Sequence, residues 1–198
     1  MKECNSIKSD SQFGFSANLS DKIRLPGGFT LLELIITIAI LGIIAGVSVP
    51  LFSTWLPDYR LKSAAMELFL NIKLAKAMAI KSNCRYRVVF DIGATGSYSI
   101  QGMDGKKERV VDFSRYDPGG NIGYGCGKAF KNATVTGGPL PPDFISYVSN
   151  SATFNPRHMG SAGYVYLTNS KGTAYAVGTW LSGNAVIKKW NEENGSWE

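Results

Sequence analysis

Histidine is almost missing from this chain of 198 residues, which has only His158. A two-histidine zinc motif is therefore impossible, and so is any histidine-based triad that does not use that one residue. The sequence also lacks a phosphate-binding P-loop and any cysteine pair at metal spacing. Asp91, Asp104 and Asp112 are scattered and give no calcium loop. A lone histidine in a glycine-flanked loop reads as a surface residue. With no constellation of reactive groups, the chain is not read as an enzyme, and neither cofactor nor metal is expected.

Charge is missing in one place. From Leu34 to Pro57 there are 24 residues without a charged side chain, while the remainder is polar and glycine-rich. As a helix, that run rises about 36 Å against a hydrocarbon core of about 30 Å. It is long enough to span a bilayer. Lys22 and Arg24 on its N-terminal side favour a cytoplasmic N-terminus, although Arg60 and Lys62 just beyond the run pull the other way. A secretory signal peptide competes with this reading. Its apolar core, however, is about 7–15 residues long and follows a short basic segment, whereas here a long polar stretch precedes a longer run.

Glu33 stands at the edge of the run, in Pro26-Gly27-Gly28-Phe29-Thr30-Leu31-Leu32-Glu33-Leu34. An ionised carboxylate there costs several kcal/mol unless it is paired or near water. One reading makes Glu33 the interfacial end of the span; the other gives it a function inside the membrane. The segment Gly28-Phe29-Thr30-Leu31-Leu32-Glu33-Leu34 resembles the cleavage and methylation motif of type IV pilins and type II secretion pseudopilins. That resemblance implies that a prepilin peptidase cuts between Gly28 and Phe29 and methylates the new Phe29 amine. It also implies that Glu33 pairs with the Phe29 amine of a neighbouring subunit, neutralising both charges in an apolar filament core. Glycine at the cut leaves the backbone uncrowded for a protease. Residues 1–28 are then a leader, removed from the mature protein. The expected partners are the peptidase, other major and minor pseudopilins or pilins, and the inner membrane. The protein would be single-pass, with a cytoplasmic N-terminus and a periplasmic domain.

Residues 29–57 make up the expected transmembrane and filament-core helix. Gly42, Gly46, Ser48 and Pro50 interrupt it, and a proline removes one helical hydrogen bond, so a kink is expected at Pro50. In the pilin family a proline at this place marks where the helix loosens on assembly. Beyond Pro57, Leu61, Ala65, Leu68, Ile72, Ala75 and Ala79 recur at spacings of four and three, a single stripe that packs on a domain. Residues 58–83 therefore continue the helix.

From Cys84 to Glu198 the texture is that of short strands: Arg85–Phe90, Ser97–Ile100, Lys107–Phe113, Ile145–Val148, Ala152–Phe154, Gly163–Thr168, Thr173–Gly178 and Asn184–Trp190. Residues 118–142, rich in glycine and proline, read as a long loop. The fold class is α+β: a long N-terminal helix packed on an antiparallel sheet, the type IV pilin-like arrangement. With Cys4 in the leader, Cys84 and Cys126 remain in an oxidising compartment, and they are either a disulfide or two separate buried thiols. A second resemblance, to the GspH/FimT group of minor pilins, rests on three stretches: Ala75–Ile80 before an arginine-bearing strand, Phe154-Asn155-Pro156-Arg157, and Gly163–Leu167 followed by Ser182–Val186. Gly183-Asn184 stands where that group often has Gly-Arg.

The chain from Phe29 onward carries 17 basic and 12 acidic residues. Some FimT-like proteins take up DNA through basic C-terminal residues. Here Lys188 and Lys189, with Arg157 and Lys171, are the candidates, and Tyr164, Tyr166, Trp180 and Trp190 could offer stacking surfaces. No compact basic cluster appears, so a solvated strand end is the preferred reading and nucleic acid is not favoured as a partner. The sequence points to a minor pseudopilin of the type II secretion pseudopilus, with a minor pilin of a type IV pilus as the alternative.

Overall fold

The computed structural model describes residues 28–93, 96–157 and 159–198, less the side chains at 47 and 49–51. Residues 1–27, all but the last of the expected leader, and His158 therefore lie outside the described residues. The chain divides into one unit ending at Ala45 and another spanning Gly46–Glu198.

One helix, α1 (Leu31–Ser82), opens the structure. Its start is written locally: Thr30 accepts a hydrogen bond on its hydroxyl from the Glu33 N–H, at 3.1 Å, as an N-cap does. Glu33 then sits in the first turn, where the helix dipole favours a negative charge. In the first unit this helix is apolar around its circumference, with Leu34, Ile35, Ile36, Ile38, Leu41, Ile43 and Ile44 all exposed. The backbone stays helical through position 50.

In the second unit, the buried face of α1 is Leu61, Ala64, Ala65, Leu68, Ile72, Ala75 and Ala79. Small alanines alternate with branched side chains along this stripe, so the sheets can approach closely. Among the described residues nine strands follow: β1 (Tyr86–Asp91), β2 (Ser97–Gly102), β3 (Lys107–Asp112), β4 (Gly123–Tyr124), β5 (Ser151–Phe154), β6 (Gly163–Thr168), β7 (Ala174–Thr179), β8 (Ala185–Asn191) and β9 (Ser196–Trp197). They form two antiparallel sheets, ordered β3-β2-β1-β5 and β4-β6-β7-β8-β9. Val88, Phe90, Tyr98, Ile100 and Val111 from the first sheet share one core with Val165, Leu167 and Val177 from the second and with the α1 stripe.

Two sequence expectations need correction. Residues 145–148 are not a strand: Ile145 makes a single bridge to Val165, and a 3-10 turn runs Val148–Asn150. Left-handed backbone at Phe144, Ser149 and Asn150 brackets the segment and stops a ladder from forming. The stretch 118–142 is not wholly loop, because β4 lies within it. Of the alternatives left open for Cys84 and Cys126, the structure has both as free thiols, Cys84 exposed and Cys126 half-buried. Cys84 follows the C-terminal end of α1, whereas Cys126 precedes Lys128, whose amide donates to Gly172 in the turn that packs on Asp58. Asp58 and the helix end are 24 residues apart, about 36 Å of helix, far beyond the ~7 Å Cα separation a disulfide tolerates.

Candidate functional site: the N-terminal helix and its attachment to the domain

At the proposed cut, Gly28 has no heavy atom within 4 Å of where a Cβ would lie, and Phe29 is 85% exposed. Nothing in the described residues covers this peptide bond, as a protease requires. Thr30 and Glu33 fall at the spacing of a capping box, so the same acid that the resemblance assigns to docking also suits the helix start. That signal was present in the sequence as Thr-x-x-Glu and went unread. One turn on, the Thr37 hydroxyl donates to the Leu34 carbonyl at 2.8 Å, folding its polar group back onto the helix. Pro50 lies among the side chains outside the description.

Among the described residues, no helix is long and apolar enough to cross a membrane. The undescribed side chains at 47 and 49–51 fall inside the charge-free run, and they interrupt the described part of it after Gly46.

Past the run, α1 is tied to the domain by a series of polar contacts that sequence reasoning did not find. Asp58 accepts hydrogen bonds from the Asn169 amide at 2.8 Å and the Thr173 hydroxyl at 2.7 Å, and Lys171 lies 3.5 Å from its other oxygen. The Lys171 ammonium also donates to the Thr54 carbonyl. Partial burial works to raise the Asp58 carboxyl. The Thr173 and Asn169 bonds and the Lys171 charge outweigh it and hold the group below its ordinary value. Arg60 pairs with buried Asp117 at 2.7 Å, and Asp117 also accepts from the Asn121 amide at 3.0 Å. Desolvation opposes these contacts, but the net effect lowers Asp117 as well.

Two turns further, Glu67 receives Arg109 at 2.9 Å and the Tyr116 hydroxyl. Its carboxyl is lowered despite desolvation, while burial and the Glu67 charge push the Tyr116 phenol up. Buried Asn71 donates to the Tyr98 hydroxyl at 2.7 Å. Each of these side chains meets a partner in the sheets or in the loops between their strands, so the helix is fixed in both rotation and register against its domain. The Asp-Pro-Gly-Gly-Asn stretch at 117–121, an Asx-type turn signature, was the one sequence hint of this attachment.

The basic candidates do not come together. Lys188 and Lys189 are successive residues of β8 and point to opposite faces. Lys188 is half-buried and donates to the Ala133 carbonyl at 3.0 Å, with its ammonium 5.8 Å from the Tyr164 ring centre. Lys189 lines a concavity shared with Asp58, Glu192, Glu193 and Glu198, an acidic neighbourhood that repels phosphate. Lys171 is engaged at Asp58, and Arg157 is exposed in a turn. Tyr164, Tyr166 and Trp190 are buried, which leaves Trp180 as the one exposed ring of the four. Among the described residues, no group of three or more histidine, cysteine, aspartate or glutamate side chains could hold a metal ion.

A family model described as the prokaryotic N-terminal methylation motif matches residues 24–49. No curated protein matches the chain, and no solved structure does. The matched segment contains the exposed Gly28–Phe29 bond and Glu33. It opens a long helix that leads into antiparallel sheets, which is a type IV pilin-like fold.

Proposed function

We propose that this chain is a prepilin-like subunit, cut after Gly28, methylated on Phe29, held in the inner membrane by residues 29–57 and then assembled into a periplasmic filament. The observation that carries the reading is the methylation motif at residues 24–49, set at the head of the long helix of an α+β domain. The exposure of the first unit supports it. A helix that is apolar around its whole circumference is unstable in water and belongs in lipid or in a helix bundle. The charge-free run Leu34–Pro57 has the length for the first environment, and assembly supplies the second.

A further feature suits assembly. On the face of α1 turned away from the domain, Met66, Leu70 and Leu74 recur at intervals of four and are 40%, 54% and 40% exposed. The stripe lies beyond the charge-free run in sequence, where a neighbouring helix could cover it. The chemistry needed is packing and charge pairing, and within this proposal Glu33 is a docking residue whose partner is the Phe29 amine of the next subunit.

Glu33→Ala tests the docking role. Peptidase cleavage should proceed, while recovery of the chain in sheared filaments should fall several-fold; undiminished incorporation would sink the role. Within this class we favour a minor pseudopilin of the type II secretion pseudopilus, on the second resemblance noted above. Deleting the gene should then lower export of secreted proteins and spare surface pili. Loss of pili with normal export would assign the chain to a type IV pilus instead.

A further inference from the structure

Three aromatic rings mark the end of the charge-free run: Phe52, Trp55 and Tyr59. Their exposures are 60%, 57% and 52%, and none belongs to the domain core. Spaced by three and four residues, they share one helix face. Trp55 stacks on Tyr59 with ring centres 4.9 Å apart, and Phe52 lies 6.5 Å from Trp55. Asp58, between them in sequence, points instead to the domain, where it is held by Asn169 and Thr173. The domain thus fixes the rotation of the helix so that the rings face outward.

The order of the rings matters. Moving away from the apolar run, the side chains go from a pure hydrocarbon to an indole to a phenol, a rising series of polarity. Trp55 and Tyr59 are four residues apart, about 6 Å along a helix. One interfacial layer of a bilayer is about 5–7 Å thick, the difference between the hydrocarbon core and the full membrane shared between two sides. Amphipathic rings of this kind partition to that layer.

The ion pairs nearby argue against an electrostatic attachment. Lys171 is paired with Asp58 and Arg60 with Asp117, so two of the nearby cations are already balanced.

We infer that Trp55 and Tyr59 form an aromatic anchor seated in the headgroup layer on the outer side of the bilayer, setting the depth of the helix before assembly. The occupant of this face is the lipid interface itself, neutral lipid included. The inference rests on the membrane anchorage proposed above.

The test uses the full chain in phosphatidylcholine vesicles whose lipids carry bromine either near the headgroup or near the chain end. The emission of Trp55 is obtained as the difference between wild type and Trp55→Phe, a change at an exposed site that leaves the core untouched. Flotation and resistance to alkaline carbonate are measured on the same samples. The expected result is an integrated chain whose difference emission is quenched several-fold more by bromine near the headgroup than by bromine near the chain end, and little by aqueous acrylamide. If the chain is integrated but Trp55 is quenched by acrylamide and not by lipid, the anchor is wrong and the membrane reading stands. If neither quencher reaches it and cross-linking shows dimers, a second copy covers the face and the anchor is again wrong. A chain that neither floats nor resists carbonate overturns both.

Discussion

Asp117 is an acid held almost out of water by the Arg60 guanidinium and the Asn121 amide. Removing the cation leaves a buried carboxylate short of a partner, so Arg60→Ala should lower the stability of the domain by about 1–2 kcal/mol, the worth of a charged hydrogen bond discounted for the exposed arginine. A urea titration followed by tyrosine and tryptophan fluorescence would measure it. Asp58, Glu67 and Asp117 are all lowered in the fold. Their contribution is therefore present above the unfolded carboxyl values of about 3.9–4.3 and is lost as pH falls through the lower folded values. Melting temperature should be flat with respect to these groups above about pH 5 and should drop below about pH 4. In Asp117→Asn the acid-side drop should be shallower; an unchanged profile would mean that this carboxylate is not a source of it. The Arg60–Asp117, Glu67–Arg109 and Asp58–Asn169 pairs were not legible in the sequence, because each joins residues 40 or more positions apart. Thr30 and Glu33, local to one turn, could have been read and were not.

Among the elements, α1 joins the two units of the chain. Its core stripe follows from the spacing Leu61, Ala65, Leu68, Ile72, Ala75, Ala79, and all six are fully buried. Leu68→Ala should cost about 2–5 kcal/mol in denaturant unfolding, through lost burial and a cavity. Leu70→Ala, two positions on and exposed, should cost little in stability and instead weaken subunit packing. Equal losses at both sites would contradict the assignment of faces. Strands with alternating burial, such as β1 and β5, were legible for the same reason as the stripe: burial imposes a period on sequence. The two-residue strands β4 and β9 carry no period. The segment 145–148 misled because Ile145 and Tyr147 are both buried while the backbone turns left-handed at either side.

For the whole molecule, a folded domain follows a helix whose described apolar side chains in the first unit are exposed. The charge-free run and the motif made that division legible at once, because both are local in sequence. Under the proposed reading, which machine the subunit serves is not written locally; it would depend on exposed surfaces such as the Met66–Leu70–Leu74 stripe. The two separated thiols make a further prediction at this scale: labelling of the unreduced protein should find both Cys84 and Cys126 reactive once it is unfolded, and protection of both would contradict their separation.

The central claim is processing after Gly28. Its most direct test is the intact mass and N-terminal sequence of the chain made together with a prepilin peptidase. The account predicts a protein that begins at N-methylated Phe29, with the preceding residues gone. An uncut N-terminus, or a cut inside the apolar run, would contradict it.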